Sequence, residues 1–551
     1  MTTDEADQPL TKKPKPDRLQ CEYFIAKKNR RCGMTRRHDE KYCSEHLNLL
    51  KKEHGRQLHY IGVTTTTSSN DKGAKRVPCP LDPNHTVWEY KLKTHILKCT
   101  KGKNARMNDG KAYYIKDLNS GKAVGKITNG NEGNSSVNSS TYRQYLEQTI
   151  DILRKIQSEE NDIVKFTIES SFRQNDIMNG TRVQELDNPK HAVQQGSLIE
   201  NIYDYIGRNT GSLVPQVDPL DDNNNNSIVV VEFGCGRAEF SRYLNQQVLY
   251  RLRDSITVAP VTITDPNNDS NGSAEIPPLN LTYVLIDRGT NRMKFDHKIR
   301  TDTVELNKRG DHNLQGQRQR QVNLDIRRAK IDIRDLNLDP LLLPTKGPHK
   351  ETATETSTTQ LTCLAISKHL CGVATDLALR CIANSRLLRS HLAGICIAMC
   401  CRHACEPDDY INPQFVNSLL ERYRARENCD TSSSRLDYSS FFKCLAKICS
   451  WATSGRRAKI QDDDSMVTVS LVGEGSGGKD EDGDKNTSAG TKEIQMTVLE
   501  RETLGLLARK IIDVGRLKWV QENLDGEAKL VHYVPQDVSL ENVALLFRRR
   551  D

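Results

Sequence analysis

The run IVVVEFGCGRA at residues 228–238 constrains the fold more than any other part of the chain. Four successive β-branched residues, Ile228 to Val231, specify a strand buried on both faces. They lead into Glu232, Gly234 and Gly236, and then into AEFSRYLNQQVLYRL, where Phe240, Leu244, Val248 and Leu252 recur at helical spacing. Strand, glycine turn and helix follow one another directly. Glycines in such a turn let the backbone approach a bound ligand closely.

Further apolar strands follow: LTYVLID (281–287), AKIDIRDL (329–336), LTCLAIS (361–367) and AGICIAMC (393–400), most of them separated by helical segments. KLVHYV and NVALLF near the end read as a closing antiparallel pair. Strands alternating with helices predict an α/β protein with a doubly wound, Rossmann-like domain over residues 196–551. Polar stretches at 262–277, 345–360 and 473–493 read as disordered inserts, residues 1–19 as a disordered tail, and 101–195 as a connecting region.

A G-x-G turn alone also occurs in nicotinamide-binding proteins and in ordinary turns. The acidic residue two positions before the first glycine, in E-F-G-C-G, tilts the reading toward enzymes that use S-adenosylmethionine. Such enzymes need a carboxylate at the end of the second strand for the ribose hydroxyls, and Asp287 fits. Asp335 is expected at the end of the third strand, near the adenine. Glu232, Gly234, Gly236, Asp287 and Asp335 are thus the expected cofactor-binding residues.

The N-terminal part carries two four-ligand sets. The first is Cys21-x10-Cys32-x10-Cys43-x2-His46, and the second is Cys79-x5-His85-x9-His95-x3-Cys99. Zinc takes four sulfur and nitrogen ligands in tetrahedral geometry, and segments this short and polar need a metal to fold. Residues 20–50 and 77–100 are therefore expected to be structural zinc modules of CCCH and CHHC type. With no open coordination position, neither zinc is expected to be catalytic. Thr86 and Glu89 have capping-box spacing, which predicts a helix start there and places His95 and Cys99 on one helical face.

Residues 1–110 hold 23 Lys+Arg against 13 Asp+Glu, a net charge of +10. The remaining residues hold 57 against 59, so the positive excess sits at the N-terminal end. A localised basic module suits a phosphate backbone. No run of about 20 apolar residues is present, which excludes a membrane-spanning helix. The start lacks the apolar run of a secretory signal, so the sixteen cysteines are expected to be reduced in an intracellular protein of the cytoplasm or nucleus. No obligate protein partner is evident.

The chemistry is expected where the fourth and fifth strands end, in SKHLCGVATDLALRC and MCCRHAC. In doubly wound sheets, ligands bind at the carboxyl ends of strands. His369 is the expected general base, since imidazole titrates near neutrality. Lys368, Arg402 and His403 are expected to hold phosphate or assist. Asp376 is expected to orient His369 or cap the next helix. Cys371, Cys400 and Cys401 read as small core residues. Arg501, Arg509 and Arg516 are read as a possible extension of an RNA grip, or as solvated helix positions.

Four blocks together resemble the eukaryotic tRNA 2'-O-methyltransferases that modify the ribose at position 4 of the acceptor stem. They are CEYFIAKKNRRCGMTRRHDEKYCSEH, CPLDPNHTVWEYKLKTHILKC, VVVEFGCGRAEFSRYL and SKHLCGVATDLALRC. The resemblance implies S-adenosylmethionine as donor, zinc in both modules, tRNA as partner, and methylation of a ribose hydroxyl. Two rival readings stay open. A base methyltransferase would flip a base into an aromatic pocket, and only 5% of the chain is aromatic. A non-catalytic zinc-finger RNA-binding protein would bind RNA without binding the cofactor.

Overall fold

The computed structural model describes residues 19–25, 30–36, 40–43, 46, 76–121, 139–159, 161–175, 189–207, 227–255, 278–289, 293–310, 321–343, 361–424, 435–454, 466–469 and 494–550. The three expected inserts, and the expected tail up to residue 18, lie outside these residues. The chain divides into two compact units, Met1–Cys99 and Thr100–Asp551.

The second unit is mixed α/β, built on one large sheet. Its strands are β1 Glu169–Ser170, β2 Ser227–Phe233, β3 Leu279–Asp287, β4 Val322–Lys330, β5 Leu361–Cys371, β6 Leu392–Cys400, β7 Gly526–His532 and β8 Val543–Arg549. The order across the sheet is β1-β7-β8-β6-β5-β2-β3-β4. Strands β2 to β6 are mutually parallel. Strand β8 runs antiparallel to both β6 and β7, as the closing pair KLVHYV and NVALLF predicts. The chain steps outward from β2 through β3 to β4, then returns to lay β5 on the other side of β2. The direction of travel across the sheet therefore reverses between β2 and β5.

Alternate residues of the central strands feed two cores. Ile228, Val230, Leu281, Tyr283, Leu285 and Ile366 point to one face. Helices α2 (Lys190–Asn201), α3 (Glu239–Ser255) and α4 (Lys294–Gly310) cover it through Leu198, Phe240, Leu244, Val248 and Ile299. Val229, Val231, Phe233, Val284, Ala365 and Ile395 point to the other face. Helices α5 (Val373–Asn384) and α7 (Val498–Asn523) cover that one through Leu377, Ile382, Val514 and Leu517. Burial on both sides is why these strands read as continuous apolar runs rather than alternating ones. A third cluster joins α1 (Ser139–Ser158), α6 (Tyr438–Cys449) and the first half of α7, through Leu146, Ile150, Phe441, Phe442 and Leu504.

Three expectations change. The strand expected at 329–336 lies earlier, at Val322–Lys330, and Ile333–Asp335 forms a 3-10 turn. Strand β4 is an edge of the sheet and pairs only with β3 among the described residues. Its side chains are mostly half-buried, so Asn323, Asp325, Arg327 and Arg328 are tolerated there and mask the strand in sequence. Ile331, Ile333 and Leu336 are instead buried where the chain leaves the sheet.

The helix expected to start at Thr86 begins later. Thr86 lies in the strand Asp82–Trp88, paired with Arg76–Cys79, and the α-helix spans Leu92–Lys98 after a 3-10 turn. Pairing opposite Pro78 in the strand claims Thr86 before it can cap. Finally, the region expected as a connector is part of the second unit. Asn119 Nδ2 donates to the carbonyls of Ile333 (2.6 Å) and Leu336 (2.8 Å), β1 joins the sheet, and α1 fills the third core.

Candidate active site and metal centres

The turn after β2 is built on left-handed backbone. Gly234 has φ +65°, Gly236 φ +51° and Ala238 φ +63°. A side chain at the two glycines would be strained, by about 1 kcal/mol or more each. A Cβ at Gly234 would lie 3.1 Å from the carbonyl oxygen of His369, whereas one at Gly236 would meet no atom of the described residues within 4 Å. The turn thus packs against the exit of β5 on one side and is open on the other.

Asp287, the last residue of β3, accepts hydrogen bonds from the backbone N–H of Gly236 (2.8 Å) and of Gly289 (2.6 Å). Its two carboxylate oxygens keep further lone pairs for a ligand hydroxyl. Glu232 does a different job from the one expected. It is 3% exposed and accepts from the backbone N–H (3.2 Å) and hydroxyl of Ser241, clamping the first turn of α3 rather than facing a ligand. Burial pushes its pKa up to about 7 despite the Ser241 bonds, which pull it down.

Asp335 is also placed otherwise. Its Oδ1 accepts from the backbone N–H of Asp117 at 2.8 Å, joining the 108–121 segment to the turn beyond β4. Asp332, two residues past the end of β4, caps that turn by accepting from Arg334 N at 3.1 Å. Sequence reasoning passed over Asp332 because the strand was drawn through it. It also passed over Arg328, whose guanidinium donates to Gly236 O (2.9 Å) and forms a two-armed pair with Asp296 (2.6 and 2.9 Å). That arginine ties the glycine turn to β4 and α4.

At the exit of β5, Ser367 Oγ donates to Phe233 O at 2.7 Å and locks β5 against β2. Lys368 is buried, with Nζ 3.0 Å from His191 Nδ1, and His369 reaches solvent. The rings of His191 and His369 lie edge to face, 6.1 Å apart. The packed surroundings of His369, with Lys368 and His191 adding positive potential, lower its pKa to about 4. The imidazole is therefore neutral at pH 7 and able to accept a proton. His191 stands on α2, 177 residues from Lys368 in sequence, and nothing local marks it.

His403 is exposed, two residues past Cys401. Cys371, Cys400 and Cys401 are not core residues as expected. Cys371 is exposed, the other two are half-buried, and their Sγ atoms lie within 4.8 Å of one another.

Arg402 is not available to hold phosphate. It is 1% exposed and bound to both oxygens of Asp513 (3.1 and 2.7 Å), to Met399 O (2.9 Å) and to Glu541. Arg516 is fully buried and pairs with Asp376 at 3.0 and 2.7 Å, while its Nη2 also donates to Gly372 O. Arg509 donates to Glu541 at 2.6 Å. Arginines 402, 509 and 516 and the three carboxylates form a charge-balanced network that fastens α7 under the turns after β5 and β6. Asp376 therefore neither orients His369 nor caps α5, and Arg509 and Arg516 do not extend an RNA surface. Arg501 is half-buried, 5.9 Å over the Trp451 ring.

The expected metal ligands converge. Cys21, Cys32, Cys43 and His46 present ligand atoms within 4.8 Å of one another. His46 Nδ1 lies 3.4 Å from Cys21 Sγ and 3.3 Å from Cys43 Sγ, and its ring stacks on Tyr23 at 3.9 Å. Strands Phe24–Ile25 and Arg30–Arg31 frame this module. Arg31 and Arg36 are partly turned inward, donating to Cys21 O and Glu40 O.

In the second module Cys79, His95 and Cys99 cluster, with 3.8 Å between the sulfurs and 3.1 Å from His95 Nε2 to Cys79 Sγ. The His85 side chain lies outside the described residues. Tetrahedral zinc with bonds of about 2.3 Å holds its sulfurs about 3.8 Å apart, so both donor sets fit that ion. Trp88 and Tyr90 stack at 6.5 Å on the surface of this module, with Lys91 Nζ 5.3 Å from the Tyr90 ring.

Sheet order, glycine turn and strand-end histidine define a class: a mixed α/β protein with one large, mostly parallel sheet and two thiol-rich modules N-terminal to it in sequence. Comparison with known proteins makes the class specific. Residues 194–548 match the family described as Methyltransferase TRM13, residues 19–47 the CCCH zinc finger in TRM13 protein, and residues 76–100 the U11-48K-like CHHC zinc finger. The chain belongs to the TRM13 methyltransferase family.

It is 41% identical to the tRNA:m(4)X modification enzyme TRM13 of Saccharomyces cerevisiae, with 98% of each chain covered. It is 33% identical to that of Kluyveromyces lactis, covering 97% of this chain and 96% of the other. The mouse homolog is 26% identical, covering 95% and 93%. Among the described residues, no helix is long and apolar enough to cross a membrane.

Proposed function

We propose that this protein is a tRNA 2'-O-methyltransferase, carrying a methyl group from S-adenosylmethionine to the ribose 2'-hydroxyl of the nucleotide at position 4 of the acceptor stem. The observation that supports the reading is the packing of the glycine turn after β2 against the backbone of His369 at the exit of β5, so the proposed cofactor turn and the proposed base stand on neighbouring strand ends. The relatives named for tRNA modification support tRNA as the substrate. The strand order, with helices on both faces, supports a Rossmann-like doubly wound sheet.

The donor fits the residues present. The open face of Gly236 would leave room for it, Gly234 and Gly236 would let the turn backbone approach it, and Asp287 would accept from its ribose hydroxyls. Asp332, in the turn just beyond β4, would face the adenine. When bound, S-adenosylmethionine supplies an electrophilic methyl on a sulfonium centre. His369 accepts the proton of the attacking hydroxyl, and its packed surroundings, with Lys368 and His191 beside it, keep it neutral. His403, exposed at the next strand exit, contacts substrate phosphate. The basic N-terminal modules bind zinc and RNA, using phosphate contacts and the Trp88–Tyr90 pair for base stacking.

The test is methyl transfer from labelled S-adenosylmethionine to unmodified tRNA transcripts, with the product digested to nucleosides. Label on a ribose supports the reading. Label on a base, or cofactor binding without transfer to any tRNA, refutes it.

A further inference from the structure

We propose a third metal site, independent of methyl transfer, formed by Cys371, Cys400 and Cys401 and suited to Zn2+. Neighbouring parallel strands end together here: Cys371 closes β5, Cys400 closes β6, and the two are register partners. Their sulfurs are 3.4 Å apart. Two consecutive residues of an extended chain point to opposite sides, so Cys400 and Cys401 would normally diverge. They do not, because Cys401 takes left-handed backbone at φ +53°. That conformation is uncommon for a residue with a Cβ, and it brings all three ligand atoms within 4.8 Å of one another.

The turn that presents Cys371 is equally determined. Gly372 has φ +55°, its N–H donates to Cys400 O at 3.0 Å, and a Cβ there would lie 2.5 Å from Ala404 O. The two thiol-bearing turns are therefore held against each other by backbone, not by the thiols. The Cys371–Cys400 sulfur separation of 3.4 Å compares with 3.8 Å between Cys79 and Cys99 in the CHHC module.

Three thiols select a soft or borderline cation over magnesium or calcium. Binding is a simple exchange: three S–H protons leave to solvent, three sulfur–metal bonds form, and no oxidant or reductant is needed. The exposed side of Cys371 leaves the fourth coordination position facing solvent. An ion here would staple the exits of β5 and β6 together, two residues from His369 on one side and two from His403 on the other.

The experiment measures bound zinc in the full-length chain, loaded under reducing conditions and freed of excess ion. Wild type is compared with Cys371→Ser and with Cys371→Ser/Cys401→Ser. The ions of the two N-terminal modules cancel in the difference. The expected result is a loss of about one zinc per chain in each variant, with unchanged circular dichroism. In parallel, cobalt-loaded wild type should show more sulfur-to-cobalt charge-transfer absorption than either variant. Cys371 is exposed, so serine there leaves the core intact. Equal zinc and equal cobalt spectra overturn the proposal, whether the wild-type thiols are free or joined in a disulfide.

Discussion

Gly234 and His369 are in contact: a Cβ added at Gly234 would sit 3.1 Å from the carbonyl oxygen of His369. The turn proposed to receive the cofactor and the strand exit that carries the proposed base thus pack against each other. Gly234→Ala should strain the φ +65° backbone and push the β5 exit away, lowering S-adenosylhomocysteine affinity and turnover together. Gly236→Ala meets no atom of the described residues, so its cost to folding should be only that of left-handed backbone, about 1 kcal/mol. Calorimetry and thermal melting separate the two effects. If Gly236→Ala binds the cofactor product as tightly as wild type, the ligand does not occupy that open face.

Replacing the proposed base should affect chemistry, not cofactor binding. His369→Ala should reduce kcat by about 10²–10⁴-fold, with S-adenosylhomocysteine affinity changed only a few-fold. Because the imidazole pKa is lowered to about 4, the acid limb it imposes on kcat should fall well below the position an ordinary histidine would give. A limb near pH 6.5 that vanishes in the variant would show a different ionisation at this position.

Glu232 makes stability depend on pH. Its folded pKa is about 7 against an ordinary 4.5, so between those values the folded state holds a proton that the unfolded state has lost. Stability should therefore fall as pH rises through that window and level off above it. Glu232→Gln has no proton to lose and should lack this slope, gaining up to about 3 kcal/mol on wild type between the two ends of the window. Parallel plots of melting temperature against pH for the two proteins would contradict this.

The Arg516–Asp376 pair is fully buried. Removing one partner strands a charge, so Asp376→Ala should cost about 3–5 kcal/mol in denaturant unfolding. Substituting both residues with apolar ones of similar volume should recover much of that loss. RNA affinity of the folded double variant should stay near wild type, since Arg516 reaches no solvent. A large drop in RNA affinity at equal stability would return Arg516 to the binding surface.

The parts of the fold legible in sequence were those with a local signature. The apolar run of β2 and the glycines behind it announce themselves, as do the paired thiol and imidazole spacings of the two modules. Strand β4 did not, because an edge strand is half-exposed and tolerates Arg327 and Arg328. His191 and Arg328 join the site through contacts 177 and 92 residues distant, which no local pattern encodes. Arg402, Arg509 and Arg516 look like a basic surface in sequence. Only their partners, Asp513, Glu541 and Asp376, reveal a buried network. Cys371, Cys400 and Cys401 sit beside apolar runs and read as core, until the left-handed turn at Cys401 places them together at the rim.

The central claim is ribose methylation at one nucleotide, and a single substrate change tests it. The protein is given a tRNA whose nucleotide at position 4 carries deoxyribose, beside the same tRNA with ribose there. The account predicts labelled methyl in the ribose substrate and none in the deoxyribose one. Equal incorporation into both would place the methyl elsewhere and contradict it.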